Sequence, residues 1–157
     1  MKRMMKEKNH QNGITIALIA MILGIIVWII VWSSGFNGMI GLVALGIVLG
    51  VFKGYEYGAG EVGRKQIPLL AIWSIVGVLL AFFGGIVSGV WVDYKSQLGG
   101  LDGFFSTDFL SHIAKYITET TTYLRDLITA IVITLLGIAS LAFDFTRVKP
   151  ATEEIEA

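Results

Sequence analysis

Hydrophobic residues are concentrated in four long runs, and polar segments separate these runs. The runs cover about residues 14–32, 36–52, 67–92 and 127–145. About 20 apolar residues in a helix span the hydrocarbon core of a bilayer, because a helix rises about 1.5 Å per residue. The pattern therefore predicts an all-α integral membrane protein, with four transmembrane helices in a membrane domain over residues 14–146.

The longest polar segment, residues 93–126, changes character at Ser106. Before Ser106 the segment is rich in glycine, which is typical of a loop. After Ser106 apolar residues recur at helical spacing, namely Phe109, Leu110, Ile113, Tyr116, Ile117, Tyr123, Leu124 and Leu127. Ser106 or Thr107 is suited to cap such a helix. We expect an amphipathic helix between the third and fourth spans, either separate from the fourth span or continuous with it.

Lysine and arginine are distributed unequally between the two predicted sides of the membrane. Nine of them lie in the N-terminal tail (1–13), the 53–66 loop and the C-terminal tail (147–157), whereas the 93–126 segment carries three. Cytoplasmic segments next to spans carry an excess of these residues. The distribution predicts a multi-pass protein of the plasma (inner) membrane, with both termini cytoplasmic and the amphipathic helix extracytoplasmic.

The basic N-terminus and the first apolar run also fit a signal peptide. The run is longer than a usual signal-peptide core and carries Trp28 and Trp32 toward its end. We therefore favour an uncleaved anchor. Ser33 and Ser34 supply a candidate cleavage site, so a cleaved signal peptide stays the alternative.

Two stripes of small residues lie on the second and third spans. The first is Gly46, Gly50, Gly54 and Gly58, and the second is Gly77, Ala81, Gly85 and Gly89. A residue in every fourth position keeps each stripe on one helix face. Because small residues let helices in lipid approach closely, we expect the two helices to pack against each other or against other copies. An oligomer interface or a pore lining is the sharper alternative, and leucine at Gly46 or Gly85 is expected to disrupt packing.

The amino-acid composition is typical of a membrane protein, and it excludes several kinds of chemical site. Of 157 residues, 55% are hydrophobic and 15% are charged, whereas a soluble domain carries about 25% charged residues. The formal net charge is zero, so no general attraction for nucleic acid is expected. The chain has no cysteine, which excludes disulfides, thiolate metal sites and cysteine nucleophiles.

The sequence contains only weak matches to known catalytic and cofactor-binding motifs. Residues 58–63 spell GxGxxG but follow a predicted membrane helix and not a strand, so we interpret these glycines as the end of that helix. Asp108 and His112 share a helix face but are too few for a metal site. Asp144 and Arg147 are expected to form an interfacial ion pair. We predict no catalytic residue, no metal site and no cofactor.

The apolar face of the amphipathic helix is a candidate surface for a partner or for the membrane. The residues concerned are Phe104, Phe105, Phe109, Leu110 and Ile113. We expect this face to cap the bundle or to contact the outer leaflet, and docking of a partner protein is the alternative.

These features favour a non-enzymatic membrane protein, a structural or accessory subunit that acts through helix packing and partner contacts. Its partners are then the lipid bilayer and either a membrane protein or other copies of the chain. A small homo-oligomeric channel or transporter is the first alternative. The second is an integral membrane enzyme acting on a lipid, which requires polar residues to gather at the outer interface, namely Asp93, Asp102, Asp108 and His112.

Overall fold

The computed structural model describes residues 2–35, 39–95, 106–119 and 121–147. Within these ranges the chain forms five α-helices and no strand. They are α1 (Lys2–Ser33), α2 (Ile40–Ala59), α3 (Ile67–Tyr94), α4 (Thr107–Glu119) and α5 (Thr121–Arg147). For residues 2–9, 94, 119, 121, 122 and 147 only the backbone is described.

Four of the described helices are long and apolar enough to cross a membrane. The spans cover His10–Ser33 in α1, Ile40–Ala59 in α2, Ile67–Asp93 in α3 and Tyr123–Thr146 in α5. The shorter α4 lies between the third and fourth spans and is strongly amphipathic. The predicted fold class, an all-α membrane protein with four spans and one amphipathic helix, is therefore confirmed.

Helices α1 and α2 extend well beyond their hydrophobic runs. The described α1 begins at Lys2, because the Lys, Met, Glu and Gln residues of the tail are good helix formers although they are unsuited to lipid. Helix α2 continues past Lys53 to Ala59. Lys53 does not end the helix since its Nζ lies 2.8 Å from a carboxylate oxygen of Glu56 and 5.2 Å from the ring centre of Phe145.

The amphipathic segment divides into two helices. Residues 107–119 form α4, whereas residues 121–126 belong to α5 and continue directly into the fourth span.

Local chemistry explains where several helices start and stop. The backbone N–H of Phe109 donates a hydrogen bond to Oγ of Ser106 over 3.1 Å, so Ser106 caps α4 as the sequence predicts. Pro68 lies in the first turn of α3, where a missing N–H donor is harmless. Gly60 ends α2 in the left-handed conformation, with a φ of 86°.

Helices α1 and α2 form the most extensive helix pair of the described bundle. Helix α1 also packs on α3, α2 also contacts α3, α5 closes the bundle against α2 and α3, and α4 packs on α3. Large side chains that are fully buried between these helices include Trp28, Phe52, Tyr55 and Phe109. Exposed leucine, isoleucine and valine residues line the outside of the spans, as expected of surfaces that face acyl chains.

Candidate functional site

The first glycine stripe packs on α1 through three of its four residues. A β-carbon built on Gly50 would lie 3.4 Å from Cβ of Ala20, and one on Gly54 would lie 3.2 Å from the carbonyl oxygen of Ile16. One on Gly58 would lie only 2.6 Å from the carbonyl oxygen of Asn12. The two backbones therefore converge toward the Gly58 end of α2, where no residue larger than glycine fits without movement.

Helix α1 presents small residues of its own to this contact. A β-carbon on Gly13 would meet Cβ of Ala59 at 2.8 Å, and one on Gly24 would meet Cγ1 of Ile47 at 2.6 Å. Ala17, between these glycines, is buried. Small residues on both helices permit the close approach that stabilises helix pairs in lipid.

The second glycine stripe also faces α1, where it accommodates large side chains. A β-carbon on Gly77 would lie 2.7 Å from Cγ of Met21, and β-carbons on Gly85 and Gly89 would lie 3.0 and 3.3 Å from atoms of the Trp32 indole. Ala81 is fully buried. Helix α1 is thus the main neighbour of both stripes, while α2 and α3 also contact each other, with Cγ2 of Ile47 lying 3.2 Å from the same position at Gly77.

Gly46 differs from the other stripe residues because it borders a groove. No described atom outside its own helix turn lies within 4 Å of the position of its β-carbon. The groove has a volume of about 380 Å³ and opens between α1 and α2; it is lined by Ala20, Leu23, Gly24, Val27, Leu42, Val43, Gly46 and Ile47. Leucine at Gly46 is thus not expected to disturb packing within the chain, in contrast to leucine at Gly85.

Aromatic rings form a continuous chain from α1 to α4. The Trp28 and Trp32 rings stack with centroids 6.5 Å apart, and Trp32 stacks on Tyr123 of α5 at 5.6 Å. Tyr123 in turn contacts Tyr116 of α4 at 5.0 Å. Phe82 of α3 meets the Trp32 ring edge-on at 5.5 Å. This cluster joins four helices at one end of the bundle, which we call the α4 end.

The predicted surface of the amphipathic helix is divided between the core and the exterior. Phe109 and Ile113 are buried, and the Phe109 ring packs edge-on against Trp91 of α3 with centroids 5.8 Å apart. Leu110 is 61% exposed. Phe104 and Phe105 lie outside the described residues. Part of this face therefore caps the bundle, as the amphipathic pattern predicts, and part remains uncovered by the described chain.

A polar contact that no sequence motif signals joins α1 to α2. His10 Nδ1 and the hydroxyl of Tyr55 are within hydrogen-bond distance, and their rings meet edge-on with centroids 5.6 Å apart. Tyr55 is only 2% exposed. The residues are 45 positions apart. His10 lies near the start of α1 and Tyr55 near the end of α2, and the antiparallel packing of the two helices brings them together.

Several hydroxyl groups within the spans form hydrogen bonds with the chain itself. Ser74 and Thr134, both buried, donate to the backbone carbonyls of Leu70 and Ala130 one turn earlier. Ser33 of α1 and Ser88 of α3 hydrogen-bond to each other over 2.6 Å. Such bonds contribute modestly to the stability of membrane helices.

The remaining polar candidates do not converge on a reactive centre within the described residues. His112 Nδ1 lies 2.7 Å from the backbone carbonyl oxygen of Asp108, which reflects their spacing of one turn. Asp144 is exposed, and the side chain of its predicted partner Arg147 lies outside the description, as does Asp102. In the described part of the chain no three His, Asp or Glu side chains are placed to hold a metal ion.

The GxGxxG stretch takes up no phosphate-loop geometry. Gly58 lies within α2 against Asn12, Gly60 is the left-handed residue that ends the helix, and Gly63 lies in the following loop. A pyrophosphate-binding fingerprint requires a strand before it and a helix N-terminus directly after it. This stretch is therefore the end of a helix-packing surface.

The fold and these surfaces define a polytopic, all-helical membrane protein with a helix-packing core and an amphipathic helix at one end. No protein-family model matches the chain. No curated protein and no solved structure compared with it is detectably similar.

Proposed function

We propose that the chain is a non-enzymatic structural or accessory subunit of a membrane assembly. In this proposal the groove beside Gly46 receives a transmembrane helix of a partner protein. The observation that carries the proposal is the position of Gly46, which continues the α1–α2 packing stripe although no described atom outside its own helix turn lies within 4 Å of its β-carbon position. A glycine exposed in a helix costs about 1 kcal/mol relative to alanine, so a packing gain from outside the chain is a physical reason to have it there.

The shape of the groove supports occupation by a helix. Its lining includes the small residues Ala20, Gly24 and Gly46, while Leu23 and Leu42 are 58% and 66% exposed. Helices in lipid associate through van der Waals contact, which is strongest where a small-residue floor admits the ridge of another helix. The groove meets this requirement over about two turns of α2.

The polar groups of the described spans support a role without catalysis. Buried hydroxyls bond to their own helix, and the aromatic cluster fills the α4 end of the bundle. Membrane-embedded catalysis requires polar side chains that converge at one place. We further propose that the protein lies in the plasma (inner) membrane with both termini cytoplasmic, from the bias of lysine and arginine. A reporter fused after Ala157 that reads as exported would reject this orientation.

Cysteine crosslinking at the groove tests the proposed function. Leu42→Cys introduces a single thiol beside the groove, because the natural chain has no cysteine. We expect it to crosslink to one defined membrane protein in native membranes, and we expect Gly46→Leu to abolish this crosslink. Ala139→Leu is the matched control, since Ala139 is an exposed small residue of α5 outside the groove.

Each outcome of this experiment is informative. A crosslinked product that persists in Gly46→Leu, or a chain that stays monomeric and uncrosslinked in native membranes, would reject the groove as a docking site. Crosslinks between two differently tagged copies would favour the homo-oligomeric channel or transporter instead. That alternative would then require ion or solute flux through the reconstituted protein.

A further inference from the structure

Helix α4 contacts two spans at the α4 end of the bundle. Near its start Phe109 packs on Trp91 of α3, and two turns later Tyr116 contacts Tyr123 in the first turn of α5. Both contacts use the same face of α4, because residues 109 and 116 are seven positions apart. This face is therefore the one that α4 turns toward the bundle.

Helix α4 carries a second apolar stripe that the bundle does not cover. This exposed stripe consists of Leu110, Ala114 and Ile117, and Leu110 and Ile117 are 61% and 46% exposed. At about 100° per residue, the exposed stripe lies about a quarter of a turn around the helix from the buried side chains of Phe109 and Ile113. Packing against the bundle accounts for the apolar side chains on the buried face of α4, but it does not account for those of the exposed stripe.

The exposed stripe is continuous with a surface that faces lipid. Tyr116 and Tyr123 are in contact, and each is followed directly by an exposed apolar residue, Ile117 in α4 and Leu124 in α5. Leu124 is 61% exposed, and Ile128, one turn further into the fourth span, is 54% exposed. The exposed apolar surface of α5 therefore extends to the end of that helix that adjoins α4.

We propose that α4 is an in-plane interfacial helix whose exposed stripe inserts into the lipid leaflet at the α4 end. An amphipathic helix in this position buries its apolar face about 5–10 Å into the boundary between headgroups and acyl chains. The remaining face of α4 carries Ser111, Lys115 and Thr118, all exposed, toward headgroups and water. Lipid contact at α4 goes beyond the proposed partner docking at Gly46 and does not depend on it.

Site-directed spin labelling of the full-length protein in vesicles tests this proposal. The natural absence of cysteine allows single variants Leu110→Cys, Ile117→Cys and the matched polar-face control Ser111→Cys. Each is labelled with a nitroxide and reconstituted into vesicles of phosphatidylethanolamine and phosphatidylglycerol. Collision rates are then measured with oxygen, which partitions into the bilayer, and with a water-soluble nickel chelate.

We expect labels at Leu110 and Ile117 to show several-fold higher oxygen-to-nickel collision ratios than the label at Ser111. Equal ratios at the three positions would overturn the proposal, because α4 would then lie in water. Labels at Leu110 and Ile117 that are shielded from both reagents would also overturn it, since a protein surface and not lipid would cover the stripe. All three positions are exposed in the structure, so the substitutions leave the core intact.

Discussion

The indole ring of Trp32 lies directly against the backbone of Gly85, with ring atoms 3.0 Å from the position that a β-carbon would occupy there. Nε1 of Trp28 is 3.1 Å from the same position and has no hydrogen-bond acceptor among the described residues. The second glycine stripe thus serves a different purpose from the first. On α3 the absence of a side chain makes room for tryptophan rings, whereas on α2 it lets two backbones approach.

Alanine at Gly85 is expected to destabilise the protein by about 1–3 kcal/mol, because its β-carbon overpacks a buried site. Neither tryptophan ring can move aside easily, since Trp28 and Trp32 are 1% and 7% exposed. The measurement is the thermal unfolding midpoint in mild detergent. Alanine at Gly46 is the control and should leave the midpoint unchanged or raise it, because no described atom opposes the new methyl group. Equal losses in the two variants would contradict the assigned packing.

Along α2 the cost of glycine-to-alanine substitution should increase from Gly50 through Gly54 to Gly58. The nearest atoms would lie 3.4, 3.2 and 2.6 Å from the new β-carbon. At Gly54 and Gly58 these atoms belong to the backbone of α1, which moves only if the helices separate. We expect a loss near zero at Gly50 and of about 2–3 kcal/mol at Gly58. Unfolding in increasing fractions of a denaturing detergent measures the series, and a series without this gradient would show that α1 and α2 do not converge.

The fold class was predictable because the hydropathy of a segment indicates whether water or lipid is its favoured surrounding. Four runs without charged residues in their middles can only be placed in lipid, and Ser106 marks the start of α4 by a local hydrogen bond. The neighbours of the stripes were less predictable. Periodicity places Gly54 and Gly85 on faces of their helices, but it does not say which helix lies opposite. A signal was nevertheless present in α1, where Gly13, Ala17 and Gly24 occupy one helix face.

The contact of His10 with Tyr55 was hidden from the sequence for a related reason. His10 precedes the first hydrophobic run and resembles part of a polar tail, and only the continuous helix from Lys2 carries it to α2. In contrast, Leu110 and Ile113 are equally apolar in the sequence, yet one is exposed and one is buried. The side of α4 that packs against the bundle decides such cases, and the hydropathy of a single residue contains no information about it.

A double-mutant cycle should detect the coupling between His10 and Tyr55. His10→Ala leaves the buried Tyr55 hydroxyl without its described partner, which costs about 1–3 kcal/mol. Tyr55→Phe removes the hydroxyl itself, and in that background the further substitution of His10 should cost less. We expect a coupling energy of about 1 kcal/mol from unfolding in denaturing detergent. Strictly additive effects of the two substitutions would show that the hydrogen bond does not contribute to stability.

The N-terminus of α4 should depend on one side chain. Ser106 accepts a hydrogen bond from the N–H of Phe109, and its replacement by alanine is expected to cost about 0.5–2 kcal/mol of local helix stability. A helix of 13 residues is marginal on its own, so the first turn should fray. Hydrogen–deuterium exchange should accelerate at the first amides of α4, while the unfolding midpoint of the whole protein changes little because the spans keep their contacts.

Two variants separate loss of the cap from a general effect of the substitution. Ser106→Asp retains an oxygen that can accept the Phe109 N–H and adds a negative charge at the helix N-terminus, so its exchange should match the natural protein. Ser111→Ala removes a hydroxyl that donates to the carbonyl of Asp108 from within the helix, and it should not accelerate exchange. Fast exchange in Ser106→Asp, or natural exchange in Ser106→Ala, would mean that contacts of α4 with the bundle and not its cap hold the first turn in place.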